Sequence, residues 1–294
     1  MLNRRGFTLV ELLIALVLLS IVSLGIYKTL MNNQRIYIAQ TQHIDLQQNI
    51  RAAATILPAE FREIDARDSD ISAMSPTAIT FRAMRVFGFA CDPPALGAGG
   101  SNPSNLNLTV REAPAPPYGS RDFANGDSIL LYYEGNTGSV NDDSWIRGKI
   151  TAAPVSLICT DTKAGEKLVV SLQFSTGQSN VSGAVTSNAP IWGFETVTYR
   201  VYKPAGDSLY YVGYQNSSGT QPIIGPLASD QGLNLVYMDS LGNVTADRTK
   251  VAQIQITLRG RTQQYIRQTS GTYGAAVDSV ITTVALRNNC RFGC

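Results

Sequence analysis

Histidine is almost missing from this chain. Among 294 residues there is one, His43. A serine hydrolase of the triad type needs a histidine base beside its nucleophile, and most zinc sites draw on histidines or closely spaced cysteines. Both classes lose their usual parts here. Charge is scarce too. Asp, Glu, Lys and Arg make up 16% of the residues, the net charge is +2, and no dense Lys/Arg cluster occurs. A nucleic-acid-binding surface would need one. There is no Gly-x-Ser-x-Gly elbow, no His-Glu-x-x-His helix and no phosphate loop. No internal repeat is visible. Beyond the first thirty residues no apolar stretch approaches the roughly eighteen residues of a spanning helix, so the sequence predicts a single helical span.

What is present is concentrated at the N-terminus. Arg4 and Arg5 precede Gly6, and Phe7 starts an apolar run that continues through Ile26. A helix from Phe7 to Ile26 is about 30 Å long, enough to cross a bilayer. Within it lies one acid, Glu11. A carboxylate at that depth costs about 3 kcal/mol on insertion scales, so it is read as functional and in need of a partner. No partner is evident within its own helix. If the chain is cut between Gly6 and Phe7, the new terminal amine supplies one, on this chain or a neighbour. The bland alternative is a secretory signal peptide, with Arg4 and Arg5 as its basic region and Ser23-Leu24-Gly25 as its cleavage site. Glu11 speaks against that reading. The two arginines predict a cytoplasmic N-terminal end, which puts everything after about residue 30 outside.

Four cysteines occur, Cys91, Cys159, Cys290 and Cys294. An even count in an oxidising compartment predicts disulfides, and three connectivities are open. The close spacing of Cys290 and Cys294 favours a small terminal ring, which leaves Cys91 with Cys159. No metal and no cofactor is expected.

The helical pattern runs past the membrane segment. Leu46, Ile50, Ala53, Leu57, Phe61 and Ile64 step by three or four and share one face. Lys28 to Ile64 contains no glycine, and Pro58 is its only proline. Phe7 to Leu57 would extend about 75 Å, and Pro58 is expected to kink the helix or to end it and start another at Ala59. After Ile64 the period changes to two. Candidate strands are 78–84, 106–111, 128–133, 145–150, 155–159, 167–174, 194–202, 208–214, 233–237, 251–259 and 279–286. Pro204 to Asp207 and Ser240 to Asn243 read as turns, and Pro93 to Pro117 as a long surface loop. A helix followed by strands makes the fold class α+β.

Other motifs are weaker. Gly206-Asp207-Ser208-Leu209 spells an esterase nucleophile block, but it falls in a hairpin turn and His43 lies far upstream. Asp65, Asp68 and Asp70, and Asn141, Asp142 and Asp143, carry oxygens suited to calcium, without the glycine and closing glutamate of an EF-hand. Acidic turns are usually just solvated, and both groups are read that way. Tyr210, Tyr211 and Tyr214 form a candidate recognition patch, although alternation places about half of them in the core.

The N-terminal run Arg4 to Glu11, with the aliphatic stretch after it, resembles the type IV prepilin signature shared by pilus pilins and type II secretion pseudopilins. The resemblance implies cleavage by prepilin peptidase between Gly6 and Phe7, N-methylation of Phe7, and Glu11 as an assembly contact. Many major pilins carry a proline in the apolar half; this chain has only Gly25 there. Further along, Gln47-Gln48-Asn49-Ile50-Arg51, the block Val251 to Arg259 and the ending Thr282 to Asn288 are similar to PilW-type minor pilins. That likeness implies a non-enzymatic subunit that primes pilus assembly, with other minor and major pilins, the peptidase, the assembly platform and the inner membrane as partners. The chain then divides into a leader 1–6, a membrane and assembly helix 7–27, a stalk helix 28–65 and a β-rich periplasmic domain 66–294. A J-type minor pseudopilin and a membrane-tethered enzyme or binding protein are the alternatives.

Overall fold

The computed structural model describes residues 8–67, 69–94, 106–111, 118–119, 121–135, 138, 143–174, 181, 185–268 and 271–286. One helix, α1 (Leu9–Arg62), leads into a β domain, an α+β architecture. α1 has 54 residues and is about 80 Å long. Its first half packs against none of the other described elements: the large apolar side chains from Leu9 to Leu30 are 53% to 77% exposed. Its second half buries Leu46, Ile50, Ala53, Leu57 and Phe61, and Ile64 just beyond the helix continues the stripe.

Pro58 does not divide the helix, and no new helix starts at Ala59; α1 runs through to Arg62. An interior proline costs about 3 kcal/mol. Leu57 and Phe61 on either side are 0% and 1% exposed, and burial of two such side chains contributes about 3–6 kcal/mol. Core packing therefore offsets the missing hydrogen bond.

The strands are β1 (Ile71–Ser75), β2 (Ala78–Phe89), β3 (Leu106–Arg111), β4 (Tyr118–Gly119), β5 (Ser128–Tyr133), β6 (Ser144–Ile150), β7 (Val155–Ile158) and β8 (Ala164–Gln173). Then follow β9 (Pro190–Tyr202), β10 (Tyr210–Asn216), β11 (Gly219–Leu227), β12 (Leu233–Met238), β13 (Gln253–Arg261), β14 (Ile266–Arg267), β15 (Tyr273–Gly274) and β16 (Val277–Ala285). Their pairings are antiparallel, and all but β14–β15 join one sheet. Within the stretch from Pro93 to Pro117, the candidate strand 106–111 forms β3, whose Leu106, Leu108 and Val110 point into a core.

Two long strands organise the sheet. β2 pairs with β9 along nearly its full length. The opposite edge of β9 is shared: Ile191–Phe194 pair with β5, and Thr198–Tyr202 pair with β10. This splits the domain into two cores. The first gathers the α1 stripe with Ile79, Phe81, Val197, Tyr199, Val212 and the strands β11 to β13 and β16. The second lies inside a ring running β2, β9, β5, β6, β8, β3. The ring closes where Val110 of β3 bridges Ala90, next after β2. The result is a small six-stranded barrel filled by Val86, Leu108, Ile129, Leu131, Ile146, Leu168 and Ile191. Its wall curves too tightly for a side chain at Gly193. A Cβ there would lie 2.5 Å from Val86 Cγ1 and 3.0 Å from Phe123 Cε1.

Candidate functional site

Glu11 sits in the first turn of α1, and the local sequence explains its geometry. Thr8 is the N-cap, with extended backbone at φ −78° and ψ 149°. The Glu11 amide donates to Thr8 Oγ1 at 3.3 Å, and the Thr8 amide donates back to Glu11 Oε2 at 3.0 Å. The Thr8 hydroxyl donates to the same oxygen at 3.0 Å. This is a reciprocal capping box. It corrects the expectation that Glu11 has no partner within its own helix. The signal was in the sequence: Thr8-Leu9-Val10-Glu11 has the Thr-x-x-Glu spacing of the motif. The carboxylate also lies at the positive end of the helix dipole. Both bonds use Oε2, and Oε1 accepts no hydrogen bond from the described residues. Among the described residues, one carboxylate oxygen is left for a further donor.

The segment behind it is the one described helix long and apolar enough to cross a membrane. Gly6 and Phe7, together with Arg4 and Arg5, lie outside the described residues, as do Cys290 and Cys294. Cys91 and Cys159 are joined by a disulfide with Cα atoms 5.9 Å apart.

The weaker motifs resolve into ordinary structure. Asp207 accepts hydrogen bonds from the Leu209 amide and the Tyr211 hydroxyl at 3.0 and 2.9 Å. These hold its carboxyl below the usual range. Gly206 to Leu209 is thus a hairpin turn between β9 and β10, and His43 is exposed on the helix. Asp70 is 5% exposed and takes Arg82 Nη2 at 2.6 Å, with the Asp65 amide on its other oxygen. Asp143 is hydrogen-bonded to Tyr132, which raises the tyrosine's pKa. Asp68, Asn141 and Asp142 lie outside the described residues. Of the tyrosine patch, Tyr211 is bonded to Asp207, Tyr214 donates to Glu195 at 3.0 Å, and Lys203 lies over the Tyr210 ring. All three are half-buried and engaged within the domain.

Sequence reasoning missed the ionic cluster around Arg85. The residue sits at a bulge in the β2–β9 ladder. Its guanidinium reaches Glu60 of α1, Glu195 of β9 at 3.5 Å and the Tyr214 hydroxyl of β10 at 3.5 Å. Burial disfavours the charge, while the hydrogen bond and charge of Glu60 more than compensate, so the pKa rises above that of an ordinary arginine. No local pattern announces such a site, because the bulge and its partners come from four separate elements.

Residues 1–27 match the family model described as the prokaryotic N-terminal methylation motif. No curated protein and no solved structure matches the chain. The methylation motif running into a single long apolar helix supports a type IV prepilin-like protein.

Proposed function

We propose that the chain is a minor subunit of type IV pilus assembly, similar to PilW-type minor pilins, and that it works as a structural element without catalysis. The observation that carries this is a methylation motif continuous with an apolar helix exposed on every side. Prepilin peptidase removes residues 1–6 by cutting between Gly6 and Phe7. Glycine leaves the scissile backbone unobstructed. Phe7 is then N-methylated. The helix from 7 to 27 anchors the subunit in the inner membrane with its N-terminus cytoplasmic. The stalk from 28 to 65 and the β domain from 66 to 294 lie in the periplasm.

On assembly the helix exchanges lipid for neighbouring helices of other minor and major pilins, at the assembly platform in the membrane. Thr8 holds Glu11 at the helix start, and Oε1 receives a terminal amine. Any other axial stagger would leave that charge unpaired in an apolar bundle, so the pairing sets register.

Intact-mass analysis of the membrane-bound protein tests processing. The expected product starts at Phe7 and carries a methyl group there. A mature start near Ile26 would establish the signal-peptide reading instead. Deletion scored for both surface pili and secreted enzymes decides the system. Loss of secretion with normal pili would assign the chain to a J-type minor pseudopilin.

A further inference from the structure

The barrel has one weak joint. β5 and β6 pair over Ser128–Tyr133, and β8 and β3 over the whole of Leu106–Arg111. β9 joins β5 through Ile191–Phe194, and β6 joins β8 through Arg147–Ile150. Among the described residues, the backbone pairing between β3 and the end of β2 is the bridge between Val110 and Ala90, supported by the Cys91 amide donating to Thr109 O at 2.9 Å.

The Val110 side chain also lies close over Gly88 of β2, where a Cβ would sit 2.7 Å from its Cγ1, and further contacts surround the disulfide. Cys91 is the residue after Ala90, and Cys159 directly follows β7, in the turn that leads to β8. Next to them, Thr160 is hydrogen-bonded to Asp92 across the seam, and on the β3 side Arg111 pairs with Asp161 of the β7–β8 turn at 2.7 Å. Those contacts are exposed, and exposed pairs contribute little. The fit at the seam is tight. A Cβ on Gly165 would lie 2.7 Å from Cys159 Sγ and 2.8 Å from Val110 O. None of these residues belongs to the first core.

We propose that the Cys91–Cys159 bond is the latch of the barrel, so that closure of the β2–β3 seam depends on oxidation while the helix and first core do not. Reduction by a dithiol converts the disulfide to two thiols and the dithiol to its own cyclic disulfide. The cross-link then no longer holds β2 to the β7–β8 turn, and the seam opens at Ala90–Val110. In the topology given under Proposed function, export to an oxidising compartment would therefore complete the fold. The latch itself does not rest on that topology and is tested in vitro.

The experiment uses the full chain in detergent micelles, with Cys290→Ser and Cys294→Ser so that a dithiol acts on one bond. Hydrogen exchange is followed by mass spectrometry with and without dithiothreitol. Peptides spanning Phe87–Asp92 and β3 are expected to exchange about a hundredfold faster after reduction. Peptides from β13 and from 46–61 of α1 should not change. Both tryptophans, Trp145 and Trp192, lie on the barrel wall 4.8 Å apart, so their emission reports the barrel alone and should shift to the red. The double variant Cys91→Ala/Cys159→Ala should match the reduced protein without any reductant. Equal acceleration in both cores would make the bond a general stabiliser and overturn the proposal. No change in the seam peptides would overturn it too.

Discussion

Arg85 grips Glu60 with both ends of its guanidinium: Nη1 donates to Oε1 at 3.2 Å and Nη2 to Oε2 at 3.0 Å. The pair fastens the last turn of α1 to the bulge in β2. It lies two residues past Pro58, where the helix has already lost a backbone hydrogen bond. Position and chemistry together make it the anchor of the helix end.

Arg85→Ala is therefore expected to cost about 2–3 kcal/mol, short of the fully buried range because Glu60 is 26% exposed. Denaturant titration of the full chain in detergent measures it. Arg85→Met/Glu60→Met should recover part of the loss, since Glu60 is removed together with its partner and Glu195 keeps the Tyr214 hydroxyl. A double variant no better than Arg85→Ala would show that the pair is not what holds the helix end.

At the other end of α1, Thr8 and Glu11 separate two roles. Thr8→Val removes the cap, worth about 1 kcal/mol, yet keeps the carboxylate. It should be cut after Gly6 and should still enter fibres, at a reduced level. Glu11→Ala should also be inserted and cut but should fail to assemble, with the β domain folded as before. The measurement pairs processed protein in the membrane with assembled fibres outside. Assembly of Glu11→Ala at the wild-type level would remove the carboxylate from the assembly contact.

The first core should respond to alkali. Burial raises the pKa of Tyr199 and of Tyr237 well above the usual tyrosine value near 10. Tyr199 is wedged between Phe61 and Phe81, and the Tyr237 hydroxyl donates to Ser75 O and Ala78 O. A raised folded-state pKa means that the stability from burying the neutral phenol is complete below about pH 10. It is lost as pH climbs towards the folded value. Unfolding midpoints taken from pH 8 to 11.5 should stay level and then fall. In Tyr237→Phe the alkaline fall should be shallower.

Gly193→Ala tests the tight wall of the barrel. The new methyl would overlap Val86, and overpacking of this kind costs about 1–3 kcal/mol. The damage should appear in tryptophan emission before it appears in helical circular dichroism, because both tryptophans belong to the barrel. Stability equal to wild type would mean that the wall has room to relax.

Periodic features were legible in the sequence. The stripe from Leu46 to Ile64 and the strands β3 and β5 come straight from spacing. Where proline or glycine interrupts a pattern, tertiary packing overrides the local signal. β11 contains Gly219, Pro222, Gly225 and Pro226 and shows no alternation, yet it pairs with β10. β9 begins at Pro190 and passes through Gly193, four residues ahead of the expected start, because β2 supports it from one side and β5 from the other. Closure of the barrel joins Ala90 to Val110 across the Pro93–Pro117 stretch, and no local pattern encodes such a pairing. Of the candidate site, the acid and the helix behind it were readable from composition, and the cap was readable from spacing. The Arg85 cluster was not, since its members meet only in the folded chain.

The division of one sheet between two cores has a mechanical meaning. A pull along α1 enters the domain through Leu46 to Phe61, and every one of those side chains belongs to the first core. Among the described residues, the barrel is joined to that core through the two strands it shares, β2 and β9. It hangs beside the load path rather than within it. Tension carried along a stalk of this kind would strain the first core, while the barrel travels as cargo whose outer surface can be altered without weakening the line.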